Sequence, residues 1–338
     1  MITVGVIGYG YWGPNLARNF AEAPDGRLGF VTDVRPERLS DVGARHPGAK
    51  LSTDYRDLLA DPAIDAVAIA TPVSSHFDLA MAALHAGKHV LVEKPMTATS
   101  DQGLRLIEEA EKRGLVLMVD HTFVYTGAVQ KIRELVQAGD LGEIYYYDSV
   151  RINLGLIQHD VSVIWDLAAH DLAIMDYLIE QRPVGISAIG STHFPGGMPD
   201  VAYLTVQFEN AMIAHFHVNW LSPVKVRQVL IGGDRRMALY DDIEATEKVK
   251  VYDRGVHWSD DPMEARRHAL VGYRLGDMFA PVLDQTEALR NECAHFIECV
   301  RSGIRPETDG HAGLRTVRML TAAEESMNRQ GSLVSLDA

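Results

Sequence analysis

Apolar residues in the first third of the chain fall in short unbroken runs. The runs "ITVGVIG" (2–8), "LGFVTD" (28–33), "DAVAIAT" (65–71), "HVLVEK" (89–94) and "LVLMVD" (115–120) are rich in β-branched residues. Runs this uniformly apolar predict strands covered on both faces. Between them, "WGPNLARNFAEA", "PERLSDVGARH", "SSHFDLAMAALHAG" and "SDQGLRLIEEAEKRG" carry helical spacing, and the last two close on glycine. Strand and helix in alternation predict an α/β, doubly wound parallel sheet.

After about residue 120 the pattern changes. "AVQKIRELVQAG" and "VIWDLAAHDLAIMDYLIE" are amphipathic helices. Six strand-like runs follow or intervene: "EIYYYDSVRI", "VGISAIG", "VAYLTVQFEN", "MIAHFHVNW", "VRQVLIGG" and "RMALYDD". Their short links predict an open, mostly antiparallel sheet in an α+β domain. Residues 253–285 have weak periodicity and read as a loop, a lid or a subunit contact. The segments "ECAHFIECVRSG" and "GLRTVRMLTAAEESM" are helical again. The expected division is an α/β domain over 1–120 and an α+β domain over 121–338.

Composition narrows the function. The 338 residues carry 46 acidic against 32 basic side chains, a net charge of −14. Such a chain is a poor partner for nucleic acid or an anionic membrane, which call for a basic face. No apolar run approaches the roughly 18 residues of a membrane span, and no basic segment precedes the first apolar run, so it does not read as a signal peptide. Two cysteines, Cys293 and Cys299, do not make a disulfide framework, and a reducing cytoplasm is the expected setting.

The chemistry begins at "GVIGYGYWGPN". Gly8, Gly10 and Gly13 have GxGxxG spacing between a strand and a helix, with Tyr11 and Trp12 inside the loop. Gly8 suits a tight turn, Gly10 a close approach of pyrophosphate, and Gly13 close packing of helix on strand. Asp33 ends the second strand, where a carboxylate binds ribose hydroxyls and repels a 2′-phosphate. NAD is therefore expected, with NADP the lesser alternative because Arg35 and Arg38 stand nearby. Thr71 and Pro72 leave the sheet at its carboxyl edge, followed by His76, and Glu93 and Lys94 leave it at the same edge. All five are expected beside the cofactor. Asp166 and His170 stand four apart in a helical segment, flanked by Trp165, an arrangement suited to passing a proton. His215 and His217 alternate on one strand without a third ligand at helpful spacing, so no metal is expected.

Together "GYGYWGPN", "TPVSSH", "EKPMT" and "WDLAAHD" resemble the Gfo/Idh/MocA oxidoreductases over nearly the whole chain. The resemblance implies a Rossmann domain, an open-faced sheet domain, and a homodimer or homotetramer built through that sheet. It assigns the family's catalytic lysine to Lys94 and its aspartate and histidine to Asp166 and His170, with Ala168 where the family's pattern has glycine. It also implies a cis bond before Pro95. The implied reaction is hydride exchange between a carbinol carbon and nicotinamide, with His170 or Lys94 as the proton acceptor. The segment 149–175 is similar to a sugar-nucleotide branch acting at C3, as in UDP-N-acetylglucosamine 3-dehydrogenases. In that reading His121, Tyr125, Arg151, Asn153, Gln158 and Trp165 meet the substrate. A free sugar or cyclitol is the alternative substrate, separated from the first by whether Arg151 serves a diphosphate. A non-catalytic dinucleotide sensor is the alternative from another class.

Overall fold

The computed structural model describes residues 1–155, 161–195, 197–257 and 272–336. Contacts divide these into two compact units. The first joins Met1–Thr126 with Gln285–Thr321, and the second joins Gly127–Asp284 with Ala322–Ala338. This differs from a single division at residue 120, because the carboxyl-terminal helices return to the first unit.

The first unit is a six-stranded parallel sheet. Its strands are β1 (Ile2–Ile7), β2 (Gly26–Thr32), β3 (Lys50–Ser52), β4 (Ala66–Ile69), β5 (His89–Glu93) and β6 (Leu117–Asp120), in the order β3-β2-β1-β4-β5-β6. The order reverses at β1, and the loops after β1 and β4 flank that switch point, where doubly wound folds take their ligands. Every residue of β4 and β6 is buried, as the unbroken apolar runs require. The short β3 is the one strand with little apolar character, and the hydrophobic pattern gave no sign of it. Helices α1 (Gly13–Glu22), α2 (Pro36–Arg45), α3 (Tyr55–Ala60), α4 (His76–His85) and α5 (Ser100–Arg113) cover the sheet. The Lys94–Pro95 bond is cis, as the resemblance implies.

Two later segments complete this unit. The helix Ala288–Ser302, here α8, packs on α1, with Phe20 and Phe296 edge to face at 6.0 Å. Residues 308–309 then lie beside β6. Val119 N–H donates to the Thr308 carbonyl at 2.8 Å, and Thr308 Oγ1 returns a bond to Val119 O at 2.7 Å. The following helix, α9 (Gly310–Asn328), runs through the boundary between the units.

The second unit is a nine-stranded, mostly antiparallel sheet with helices α6 (Gly127–Gln137) and α7 (Ala169–Leu178). Its strands are β7 (Ile144–Leu154), β8 (Pro183–Ser191), β9 (Val201–Phe208), β10 (Ile213–Asn219), β11 (Leu221–Gly233), β12 (Met237–Asp241), β13 (Val249–His257), β14 (Gly272–Phe279) and β15 (Val334–Ser335). Strict alternation gives one buried face. Along β10, Ala214, Phe216 and Val218 are buried while Ile213, His215 and His217 are not. Part of the segment read as loop is strand, since β13 and β14 pair antiparallel. Their periodicity is weak because β14 is an edge strand with Leu275 and Met278 exposed. No described helix is long and apolar enough to cross a membrane.

Candidate functional site

The glycine loop in the first unit has the form a phosphate cradle needs. Gly8 sits at φ +95°, and an added Cβ would lie 2.6 Å from the Ala70 carbonyl. A Cβ on Gly13 would fall 2.1 Å from the Gly8 carbonyl. Both glycines are therefore demanded by the chain itself. Gly10 is different, because its Cβ would meet only the Arg35 guanidinium at 3.7 Å. The chain leaves room there, so the missing side chain serves an approaching ligand. The amino end of α1 has no side-chain cap and no acidic residue in its first turn. The helix dipole there suits an anion, while Pro14 has no N–H and Asn15 N–H already bonds the Trp12 carbonyl. The loop, its open Gly10 and this helix end fit a dinucleotide.

Asp33 closes the other side of the cradle. It is buried; its Oδ2 accepts from Tyr9 N–H at 2.7 Å and its Oδ1 from Arg35 N–H at 2.9 Å. The Arg35 side chain adds Nε at 3.2 Å to Oδ1. Burial works to raise the Asp33 pKa, but the bonds from Arg35 and Tyr9 outweigh it and the net direction is down. Asp33 is an anion whose Oδ1 takes two donors from Arg35 and whose Oδ2 takes Tyr9 N–H, with the Arg35 guanidinium at 3.5 Å. Tyr11 is exposed, stacked beside Trp12 with centroids 6.4 Å apart.

At the carboxyl edge, Thr71 and Pro72 follow β4, Thr71 half-buried and Pro72 exposed. His76 does not stand open to a cofactor as expected. It is buried, with Nε2 2.7 Å from the Thr71 carbonyl and Nδ1 2.9 Å from the Pro95 carbonyl. It ties the end of β4 to the turn after β5. Two acceptors ask for two N–H donors, which only the cation supplies. Burial opposes that cation and lowers the pKa, against the pull of the carbonyls.

Glu93 and Asp120 are partners in the β5–β6 ladder, at the last position of each strand. Asp120 accepts from Trp12 Nε1 at 2.9 Å and from Thr122 Oγ1 at 2.5 Å. β4 and β5 lie between β1 and β6, a span of about 14 Å at the usual strand spacing. The Trp12–Asp120 bond therefore ties the glycine loop, which follows β1, to the end of β6. Glu292, from α8, adjoins the same group. It is fully buried, and neither of its oxygens receives a protein donor. Burial first, and the Asp120 carboxylate second, push the acids of Glu292 and Glu93 well above the carboxylate range. The sequence reading missed Asp120 and Glu292. A signal existed for Glu292, which shares a helix face with Leu289, Cys293 and Phe296.

His121 and Tyr125 follow β6. His121 is buried, neither ring nitrogen has a hydrogen-bond partner, and burial holds its pKa down to about 4. It is a neutral imidazole. Tyr125 was expected to meet substrate, but it is buried and its hydroxyl donates to Thr308 Oγ1 at 3.0 Å, since the Thr308 proton goes to Val119 O. It is a fixture of the core.

In the second unit, Ile164–Ala168 forms a π-helical turn that leads into α7. Asp166 and His170 were expected to share one face of a continuous α-helix. The wider turn alters that relation, and such turns recur at functional sites. Asp166 Oδ2 accepts from Trp220 Nε1 at 3.0 Å, and His170 opens α7 half-buried. Trp165 is buried beside them. Arg151 is a correction. It is buried and grips Asp171, with Nε 3.0 and 3.1 Å from the two oxygens and an NH2 contact of 2.7 Å. That fork is committed to α7 and is not offered to a diphosphate. Asn153 is half-buried near the end of β7, and Gln158 lies outside the described residues. His217 stacks on Tyr203 at 4.4 Å.

A parallel sheet with a glycine cradle at its switch point and a lysine at its carboxyl edge defines a dinucleotide-dependent oxidoreductase. Comparison with known proteins agrees. A family model described as "Oxidoreductase family, NAD-binding Rossmann fold" matches residues 2–121, and the "GFO/IDH/MocA C-terminal domain" matches 129–238. The chain belongs to the GFO/IDH/MocA oxidoreductase family. It is 33% identical over 315 residues to the UDP-N-acetylglucosamine 3-dehydrogenase of Acidithiobacillus ferrooxidans, covering 93% of each chain. A solved structure of that enzyme superposes with a TM-score of 0.83 at 28% identity, covering 97% of this chain and 98% of the other. The scyllo-inositol 2-dehydrogenase (NAD(+)) of Bacillus subtilis is 27% identical over 351 residues, 99% of this chain and 96% of that protein.

Proposed function

We propose that the protein is a NAD-dependent dehydrogenase acting on a secondary alcohol at C3 of a nucleotide-linked sugar such as UDP-N-acetylglucosamine. The observation that carries the cofactor assignment is the cradle, in which Gly10 is open while Asp33 stands as an anion at the ribose position. The substrate assignment draws its support from the relative at 33% identity over nearly the whole chain. The cofactor, when bound, supplies the hydride acceptor. Gly8, Gly10, Gly13 and the amino end of α1 hold its phosphates, and Asp33 its ribose. Lys94 hydrogen-bonds the carbinol oxygen and stabilises developing negative charge there. His170 takes the hydroxyl proton, and Asp166 orients it or binds a neighbouring hydroxyl.

A second reading, a free cyclitol as substrate, gains from one observation. Arg151 was the residue meant for a diphosphate, and it is spent on Asp171. Absorbance at the reduced-nicotinamide band, with NAD and a panel of UDP-N-acetylglucosamine, other nucleotide sugars, myo-inositol and glucose, separates the readings. Turnover with nucleotide sugars alone, reduced at least about 100-fold in Lys94→Ala and in His170→Ala, is the expected result. Turnover with inositol alone would move the assignment to the second reading.

A further inference from the structure

Asp120, Glu93 and Glu292 bring three carboxyl groups together at the carboxyl edge of the first unit's sheet, and the reaction proposed above uses none of them. Among the described residues they do not converge as a metal site. Their arrangement poses a question of protons instead. A carboxylate has about four lone-pair sites and no donor, so two adjoining carboxylates cannot bond unless one carries a proton. Thr122 has one hydroxyl proton and gives it to Asp120. The Trp12 N–H goes to Asp120 as well. Glu93 Oε2 takes the backbone N–H of Lys94 at 3.1 Å, and its Oε1 is buried without a partner. Glu292, at 0% exposure, receives no donor at either oxygen. As an anion it would be desolvated, unbonded and set against Asp120, which is the costliest state available to a buried group. As an acid it becomes a donor, and Asp120 is the acceptor beside it.

We propose that Glu292 is a positioning residue. It keeps its proton at neutral pH and donates it to Asp120, so that Asp120 accepts from the acid, the Thr122 hydroxyl and the Trp12 indole and fixes that indole at the end of β6. The purpose assigned to that indole, ordering the glycine loop for the dinucleotide, rests on the cofactor reading above. The chemistry of the contacts fits this role. Asp120 gains charge-assisted bonds from an indole N–H, a hydroxyl and a carboxylic acid, and each strengthens the hold on the others. The groups around Glu292 are Asp120 from β6, Glu93 from β5, the Thr122 hydroxyl and Tyr125 from the turn after β6, and Cys293 on its own helix, with the Lys94 cation beside Glu93. Burial raises Tyr125 and Cys293 well above their ordinary values, so both stay neutral and add no further negative charge.

The test compares the full-length protein with Glu292→Gln, which keeps a neutral donor of the same shape, and Glu292→Leu, which removes it. Difference infrared spectra between wild type and Glu292→Gln at neutral pH should show a protonated-carboxyl band that the variant lacks. The indole N–H resonance of Trp12, assigned by its loss in Trp12→Phe, should stay in place in Glu292→Gln and move in Glu292→Leu. Calorimetry should give a dinucleotide Kd within about twofold of wild type for Glu292→Gln and weaker by about tenfold for Glu292→Leu. An infrared spectrum without that band overturns the proposal, as does a Trp12 resonance indifferent to Glu292→Leu. If Glu292→Leu does not fold, the infrared band and the unmoved resonance of Glu292→Gln decide alone. If wild type binds no dinucleotide, the cofactor reading fails, while the spectra still judge the proton.

Discussion

Two buried groups, one in each unit, settle charge in opposite ways. In the second, Arg151 and Asp171 meet as a fork on a carboxylate, both within 3% of full burial. In that pair each charge has its counterpart. In the first, Glu292 has carboxyl groups as its closest charged neighbours. The matched pair has the form of architecture, because its groups are consumed by each other. The mismatched cluster leaves a proton to place, and its members touch the loop and strand ends where the ligand is expected.

Breaking the matched pair should have the largest effect. Asp171→Ala strands a buried guanidinium and is expected to lower unfolding stability by about 3–5 kcal/mol in denaturant titrations. Replacing both residues with apolar ones of similar volume should recover most of that. A single-variant loss below about 1 kcal/mol would contradict the reading of Arg151 as structural.

The next effect lies on the acid side of the first unit. His121 is neutral in the fold with a pKa of about 4, against an ordinary value of about 6.5 when unfolded. Between those values the unfolded chain binds the extra proton. Stability is then fully present above about pH 6.5 and is lost as pH falls toward 4, by up to about 3 kcal/mol. His121→Phe should flatten that limb in thermal scans across pH; an unchanged limb would show that His121 is not its cause.

Glu292 runs the other way. Its folded pKa is raised, so the folded protein holds the proton above the unfolded value near pH 4.3. Stability declines from there as pH rises, by at most about 1.4 kcal/mol per pH unit for this group, until the folded pKa is passed. Glu292→Gln should reduce the slope between pH 5 and 8. The smallest effect belongs to Arg18 and Glu287, which pair at 2.7 Å with both side chains more than 40% exposed. Arg18→Ala should change stability by no more than about 1 kcal/mol, and less in high salt.

The sequence made legible what the backbone itself demands. Gly8 and Gly13 have no alternative in their positions, so the cradle could be read from spacing alone, and the parallel sheet from its unbroken apolar runs. Side-chain partners far along the chain were not legible. An arginine in mid-strand reads as a ligand contact until Asp171, twenty residues on, is seen to hold it. Tyr125 reads the same way until Thr308 is placed beside its hydroxyl. The π turn at Ile164–Ala168 has no period-based signature, so Asp166 and His170 were set on an α-helical face. The destination of α8 was hidden for a similar reason. Its apolar stripe says that it packs, and nothing local says on which unit.

That destination bears on how the protein is made. The strands and helices of residues 1–126 leave the ribosome before the segment that covers Phe20 and adjoins Asp120 exists. Residues 127–284 must be translated first, which takes roughly 10 to 30 seconds at ordinary elongation rates of about 5–20 residues per second. For that interval the nascent nucleotide fold shows an apolar face on α1 to its surroundings, and it reaches its final form only when α8 emerges to cover it.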